Sequence, residues 1–187
     1  MLGAAAAIFV VHSLAELVLR RGRAKSFARG RFDRGTTLLT AVSWPSIVLG
    51  ALATRFLVDA GRLPLAGGPG LALVTVMAFG ASLRWWAMHT LGESFTRTLT
   101  TLDGQRVIDA GPYRWIRHPG YLAQFLVLVP FAALVSEGWI AALGALVLLA
   151  AIYARRIGLE EAMLAERLGG PWAAYAGRTW RLIPGLY

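Results

Sequence analysis

Five long apolar segments limit this 187-residue chain to the folds that a lipid bilayer permits. The segments cover residues 2–19, 36–57, 70–91, 120–135 and 138–153. A membrane-spanning helix needs roughly 17–25 predominantly apolar residues, and each segment reaches or approaches that length. Because backbone polar groups in lipid must be satisfied internally, each segment is predicted to be an α-helix. We therefore expect an all-α integral membrane protein with five transmembrane helices and short interfacial helices, forming one domain over residues 1–187.

The composition supports a membrane location and excludes several chemistries. Hydrophobic residues make up 57% of the chain and charged residues 16%, well below the roughly 25% of a soluble domain. The net charge of +9 comes from arginines near the ends of apolar segments, where lipid headgroups attract them, so no nucleic-acid partner is expected. Cysteine is absent, and the three histidines lack the i, i+4 spacing of a helical zinc pair. No metal site is predicted.

The distribution of basic residues predicts how the chain crosses the membrane. The connection over residues 20–34 holds seven Arg or Lys residues, and further arginines cluster in residues 92–119 and 155–187. The positive-inside rule then places the N-terminus outside and the C-terminus in the cytoplasm, in a bacterial inner membrane. Only Ser136-Glu137-Gly138 separates segments four and five, which predicts a tight antiparallel hairpin. Residues 92–119 and 155–187 should therefore meet on one membrane face.

Two polar motifs in these regions could form a binding site. The stretch from Gly111 to Tyr121, Gly-Pro-Tyr-Arg-Trp-Ile-Arg-His-Pro-Gly-Tyr, concentrates ionisable side chains just before segment four. Beyond segment five, Arg156 and Glu160 are spaced i, i+4 and share one helix face, with Glu161 about 100° away. A basic cluster of Arg114, Arg117 and His118 would oppose the two glutamates. Such a pocket suits a zwitterion that carries a carboxylate and an ammonium group.

These motifs resemble those of the isoprenylcysteine carboxyl methyltransferase family and its phospholipid N-methyltransferase relatives. The resembling parts are Leu91-Gly-Glu-Ser-Phe95, Gly111-Pro-Tyr-Arg114, Arg117-His-Pro-Gly-Tyr121, Glu160-Glu161, Leu168-Gly169, Tyr175 and Ile183-Pro184. The resemblance implies an enzyme that transfers a methyl group from S-adenosylmethionine, leaving S-adenosylhomocysteine. It also implies a lipophilic acceptor, a lipid or a prenylated molecule, that enters from the bilayer.

The resemblance also assigns roles to individual residues. Glu160 should take the ammonium group of the cofactor, and Arg156 should lie near the methyl acceptor, so both are expected to be catalytic. Gln105, Val107 and Ile108 fall where the family approaches the adenine. The expected cofactor-binding residues are Gln105, Val107, Ile108, Gly111, Tyr113, Arg117, His118, Pro119, Tyr121, Glu160 and Glu161. The pocket would combine residues 92–121 with residues 155–184.

Elementary chemistry agrees with methyl transfer but leaves alternatives open. An in-line displacement at a sulfonium needs positioning and charge control, not a covalent nucleophile. The chain lacks a Gly-x-Gly-x-x-Gly turn after a strand, which excludes a Rossmann-type methyltransferase. The rival functions are a sterol-type reductase using NADPH, which needs more membrane helices, and a non-enzymatic membrane scaffold. Oxygen, nitrogen and sulfur all remain possible as the acceptor atom.

Several polar residues also have purely structural interpretations. Arg117 could anchor the membrane face, and Glu160 and Glu161 could form a solvated helix face. His12 and Glu16, spaced i, i+4, favour a buried polar pair. Arg84 could either extend to the interface or enter the site.

Overall fold

The computed structural model describes residues 1–20, 32–58, 68–92 and 106–187. Within these residues the chain forms six α-helices and no β-sheet, so the predicted all-α integral membrane class is confirmed. The helices are α1 (Leu2–Arg20), α2 (Thr36–Leu57), α3 (Gly68–Leu91), α4 (Pro119–Ser136), α5 (Trp139–Leu168) and α6 (Gly170–Gly177). A short 3-10 helix, Gly111–Arg114, precedes α4.

Four of these helices, α2 to α5, are long and apolar enough to cross a membrane. Their positions match predicted segments two to five closely. The first helix contributes a shorter apolar stretch, Leu2–Glu16, so a membrane crossing by α1 stays a prediction. The main extension concerns α5, which continues without a break to Leu168. This continuation carries Arg156, Glu160 and Glu161 on the same rigid element as the membrane segment.

Helix α4 is the central helix of the bundle. In its most apolar window 72% of the residues are buried, against 22% in α2 and 33% in both α3 and α5. Helices α1, α2, α3 and α5 all pack against it. Gly80 allows α3 to approach most closely, because a Cβ there would lie 2.7 Å from Cβ of Leu126 and 3.1 Å from the carbonyl oxygen of Ala123. Small residues serve this purpose in membrane helix packing.

The predicted hairpin between α4 and α5 is confirmed. Helix α4 ends at Ser136 and α5 begins at Trp139. Glu137 takes the left-handed conformation, with φ of 52°, which reverses the chain in two residues. The hydroxyl of Ser136 donates to the carbonyls of Ala132 (2.7 Å) and Gly138 (3.1 Å), and Arg55 pairs with Glu137 at 2.7 Å. The turn therefore fixes α5 antiparallel to α4.

The C-terminal tail folds back onto the start of α4. Gly169, with φ of 58°, ends α5, and Pro171 lies in the first turn of α6. After α6, Ile116 and Trp180 form a parallel bridge. The backbone N–H groups of Arg117 and His118 donate to the carbonyls of Trp180 (2.7 Å) and Arg181 (3.0 Å). The two regions expected to form the site are thus joined by backbone hydrogen bonds.

Candidate active site

Glu161 is the centre of the contacts between the segment before α4 and the end of α5. Its Oε1 accepts hydrogen bonds from Nε of Arg117 at 2.8 Å and lies 3.2 Å from Nε2 of His118. Its Oε2 accepts from Nε of Arg181 at 2.9 Å. The predicted opposition of basic and acidic side chains is confirmed for Arg117, His118 and Glu161. Arg114 does not join it, because its side chain is exposed and lies over the ring of Trp115.

Arg117 extends this network to the C-terminal tail. Its Nη1 donates to the carbonyl of Ala176 at 2.8 Å, to the hydroxyl of Thr179 at 3.3 Å and to the carbonyl of Thr179. Carbonyls at a helix end lack partners within the helix, and a basic side chain satisfies them. Arg117 and Glu161 therefore brace the tail against α5. Direct cofactor contact by these two side chains stays a prediction.

Tyr121 links the two residues that were predicted to be catalytic. Its hydroxyl donates to Oε2 of Glu160 at 2.6 Å and accepts from Nε of Arg156 at 2.8 Å. Its ring stacks on His118, with centroids 5.5 Å apart, and on Tyr153, at 4.7 Å. The i, i+4 spacing predicted that Arg156 and Glu160 share a helix face, and Tyr121 contacts both. Stacking and hydrogen bonding together hold this hydroxyl between the two charges.

Glu160 differs from Glu161 in its accessibility. The Glu160 side chain is 26% exposed, against 14% for Glu161. Nδ1 of His118 lies 3.8 Å from Oε2 of Glu160, while its Nε2 faces Glu161. His118 thus lies between Glu161, whose carboxylate is enclosed by arginines, and Glu160, whose carboxylate remains partly accessible. Of the two, Glu160 is the better placed to receive an external cation.

The segment before α4 is fixed by close packing. Gly111 has φ of 53°, and a Cβ there would lie 2.7 Å from Oγ1 of Thr90 and 3.0 Å from Nε1 of Trp86. The structure therefore gives Gly111 a packing role against α3. The side chain of Tyr113 is buried, which raises the pKa of its hydroxyl. The backbone carbonyl of Tyr113 accepts a hydrogen bond from the hydroxyl of Tyr175 at 2.9 Å. Burial also raises the pKa of Tyr175 to about 12, so it stays a hydrogen-bond donor.

The remaining predicted cofactor residues lie at the edges of this region. Val107 and Ile108 are half-buried beside the 3-10 helix, and Pro119 is buried in the first turn of α4. Pro119 thus starts the helix, as its missing N–H group permits. Gln105 lies outside the described residues. Contact of these four residues with a cofactor stays a prediction.

The N-terminal end of α2 supplies a further wall that the sequence interpretation missed. Nη1 of Arg156 donates to the hydroxyls of Thr36 at 3.1 Å and Thr37 at 3.2 Å, and lies 3.7 Å from Oδ1 of Asp33. Asp33 is the only acidic residue in the basic connection over residues 20–34. That exception, directly before an apolar segment, was the signal available in the sequence.

Polar side chains on α1 and α3 meet inside the bundle near the same end of α4. Arg84 forms a buried ion pair with Glu16, and its guanidinium packs against Gly120. Arg84 therefore turns inward to the bundle and does not extend to the membrane interface, while a role in the site stays a prediction. His12 is buried, stacks on Trp44 and lies 3.4 Å through Nε2 from Oε1 of Gln124. His12 and Glu16 are buried as predicted, with partners on other helices.

A cleft of about 570 Å³ lies between α1 and α3. Its walls are mostly apolar side chains of the two helices, and His12, Glu16 and Arg84 contribute the charged and polar part. Arg84, in the wall of this cleft, also contacts Gly120, the residue before Tyr121.

Comparison with known proteins shows the family to which the chain belongs. The sequence model of the isoprenylcysteine carboxyl methyltransferase (ICMT) family matches residues 72–166, about half of the chain. The chain belongs to the ICMT family. The matched region contains most of α3, the whole of α4 and the part of α5 that carries Arg156, Glu160 and Glu161.

Individual relatives agree with this membership. A protein-S-isoprenylcysteine O-methyltransferase from Dictyostelium discoideum is 27% identical over 120 residues, which are 59% of this chain and 47% of that protein. The uncharacterized protein YpbQ of Bacillus subtilis is 26% identical over 129 residues, which are 66% of this chain and 74% of that protein. The solved structure of a eukaryotic intramembrane Ras methyltransferase ICMT aligns with a TM-score of 0.58 and 20% identity.

The ICMT relatives are longer than the regions that match this chain. The structural alignment covers 86% of this chain and 55% of the solved one, and at 20% identity it shows a shared fold. The chain spans about half the length of the Dictyostelium relative and of the solved ICMT structure. Asp33 and Arg181 lie outside the family-matched residues. Asp33 nevertheless contacts Arg156, and Arg181 contacts Glu161, both of which lie inside the matched region.

Proposed function

We propose that this ICMT-family chain transfers a methyl group from S-adenosylmethionine to a lipophilic acceptor at the membrane surface. The strongest support for this proposal is the environment of Glu160. Within the family-matched region, the accessible carboxylate of Glu160 is held between His118 and Tyr121, with Arg156 on the far side of the Tyr121 hydroxyl. A rigidly held, partly exposed carboxylate beside a cation suits the charged end of a zwitterionic cofactor.

The residues present fit the methyl donor that the family implies. When bound, S-adenosylmethionine supplies an electrophilic methyl group on a positively charged sulfonium. Glu160 would hold its ammonium group, with His118 and Tyr121 beside it. The half-buried Val107 and Ile108, with Gln105, are the proposed contacts for its adenine. The braced pair Arg117 and Glu161 would keep the walls in place while the donor enters and leaves.

The side chains of the chain itself would act by positioning and by charge. Tyr121 fixes the carboxylate of Glu160 through a 2.6 Å hydrogen bond, so this group needs no reorganisation when it receives a cation. Arg156 presents a fixed positive charge on the same side, which suits an electron-rich acceptor atom near the donor. Holding both reactants in line can account for a large part of the rate in such a displacement. Arg156 and Glu160 are accordingly the proposed catalytic residues.

The cleft between α1 and α3 supports a route from the bilayer for the acceptor. Its volume of about 570 Å³ falls within the roughly 300–1,000 Å³ of small-molecule sites. It is lined mostly by apolar residues of α1 and α3, and Arg84 in its wall packs against Gly120. This position favours a lipid or a prenylated molecule whose reactive end approaches Tyr121. By the positive-inside rule, the site and the C-terminus would face the cytoplasm of a bacterial inner membrane.

Calorimetry on the purified chain in nanodiscs tests the choice of cofactor. We expect S-adenosylhomocysteine, the product form of the donor, to bind with measurable heat and to raise the unfolding temperature. NADPH should produce neither effect. Binding of NADPH without binding of S-adenosylhomocysteine would contradict the proposal and favour the reductase. If neither molecule binds, the scaffold alternative is favoured.

A further inference from the structure

A buried polar cluster joins the N-terminal end of α2 to the candidate active site. Asp33 is 2% exposed, and its Oδ1 accepts hydrogen bonds from the backbone N–H of Thr37 at 3.2 Å and from the Thr37 hydroxyl at 2.5 Å. The Thr36 hydroxyl donates to the Asp33 carbonyl at 2.8 Å and lies 3.4 Å from Oδ1. Both threonine hydroxyls then accept hydrogen bonds from Nη1 of Arg156. The Thr37 hydroxyl thus bridges the Asp33 carboxylate and the buried guanidinium, and the Thr36 hydroxyl bridges the Asp33 backbone carbonyl and the same guanidinium. Oδ1 of Asp33 also lies 3.7 Å from Nη1 of Arg156.

This cluster fixes the guanidinium of Arg156 at a second point. Nε is bound to the hydroxyl of Tyr121, while Nη1 is bound to Thr36 and Thr37 on another helix. A single hydrogen bond would leave the planar group free to rotate about its contact. Two contacts on different elements set both its position and its plane. Functional groups keep productive geometry when a surrounding shell of hydrogen bonds locks them.

We propose that Asp33 is a positioning residue which, through Thr36 and Thr37, holds Arg156 against Tyr121 in the methyl-transfer site. The expected effect of Asp33 on turnover rests on the proposed methyl-transfer function. The α2 segment would form a third wall of the site, outside the region that the family model matches. Asp33 acts on Arg156 and has no role in contact with the reactants.

Matched threonine variants isolate the cluster. Thr37→Val removes the hydroxyl between Asp33 and Arg156, and Thr37→Ser retains one. Thr40→Val is the control, because the Thr40 hydroxyl lies one turn along α2 and donates to the carbonyl of Thr36 at 2.8 Å. We expect Thr37→Val to lower kcat at saturating donor at least tenfold, which corresponds to about 1.4 kcal/mol of barrier. Affinity for S-adenosylhomocysteine should stay near that of the wild type, and Thr37→Ser should recover most of kcat.

A second measurement reports on Arg156 without turnover. In ¹⁵N-arginine-labelled protein, the Arg156 Nε–H signal, assigned by its loss in Arg156→Lys, gives an exchange rate with water. We expect Thr37→Val and Asp33→Asn to raise this rate by about tenfold or more, because local hydrogen-bond opening becomes easier. Thr40→Val should leave the rate unchanged.

The two measurements separate this proposal from the proposed function. If Thr37→Val matches Thr40→Val in kcat and in exchange rate, the positioning role is overturned while methyl transfer stands. If exchange accelerates but kcat of the folded protein is unchanged, the cluster is merely structural and the proposal is again overturned. If the wild type neither binds S-adenosylhomocysteine nor transfers a methyl group, the proposed function fails. In that case, faster exchange of the Arg156 Nε–H in Thr37→Val than in Thr40→Val still supports the positioning of Arg156 by the cluster. Equal exchange rates in the two variants overturn it.

Discussion

Replacing Glu160 by glutamine tests the proposed ammonium site with little change in shape. Glu160→Gln keeps an oxygen that can accept the hydrogen bond from Tyr121, so the 2.6 Å contact has a neutral replacement. The variant loses the negative charge on the more exposed of the two glutamates. A hydrogen bond to a charged group contributes about 1.5–3 kcal/mol. At about 1.4 kcal/mol per tenfold, the Kd for S-adenosylhomocysteine should rise roughly 10- to 100-fold.

The assay is calorimetric titration of S-adenosylhomocysteine into protein in nanodiscs. Glu166→Gln is the matched control, because Glu166 lies on the same helix, is exposed and is outside the group around Tyr121. The control should bind like the wild type. If Glu160→Gln also binds with wild-type affinity while unfolding at the wild-type temperature, Glu160 does not hold the ammonium group. The interpretation of Glu160 as a solvated helix face would then be preferred.

Three further predictions test the packing that supports the site. Gly80→Val should lower the free energy of unfolding by about 1–3 kcal/mol or more, since the valine side chain would overlap Leu126. An unchanged unfolding temperature in detergent would argue against the close approach of α3 and α4. Glu16→Gln should cost about 3–5 kcal/mol, because the buried charge of Arg84 loses its carboxylate counter-charge. The double variant with Arg84→Met should recover much of this loss. A double variant that loses the sum of the two single-variant losses would mean that the pair is not coupled. Arg117→Ala should expose the C-terminal tail to limited proteolysis faster than the wild type, because helix-end carbonyls lose their donor; equal digestion rates would contradict the bracing role.

Apolar length and charge distribution predicted most of the helical framework. Segments of about 16–22 residues leave few alternatives to a membrane helix, and the positions of α2 to α5 follow from them. The three-residue interval at Ser136-Glu137-Gly138 likewise predicted the hairpin that sets α5 against α4. The extension of α5 to Leu168 was harder to predict, because polar residues after Tyr153 fit a separate helix equally well.

Helical spacing predicted the central part of the candidate site but not its partners. The i, i+4 relation placed Arg156 and Glu160 on one face, and Tyr121 contacts both. The sequence could not show that Glu161 is enclosed by Arg117 and Arg181, since this depends on how the tail returns to the start of α4. Asp33 escaped notice for the same reason. Its contact with Arg156 joins residues 123 positions apart, and no local pattern records that distance.

Methyl transfer by the purified chain is the most direct test of the central claim. The chain in nanodiscs of bacterial lipid extract would be incubated with S-adenosylmethionine labelled in its methyl group, and label would be counted in the organic-solvent extract. We expect label to enter the lipophilic fraction, to be suppressed by S-adenosylhomocysteine and to fall strongly in Glu160→Gln and Arg156→Ala. An organic fraction without label, across lipid extracts and added prenylated or long-chain acceptors, would contradict the account.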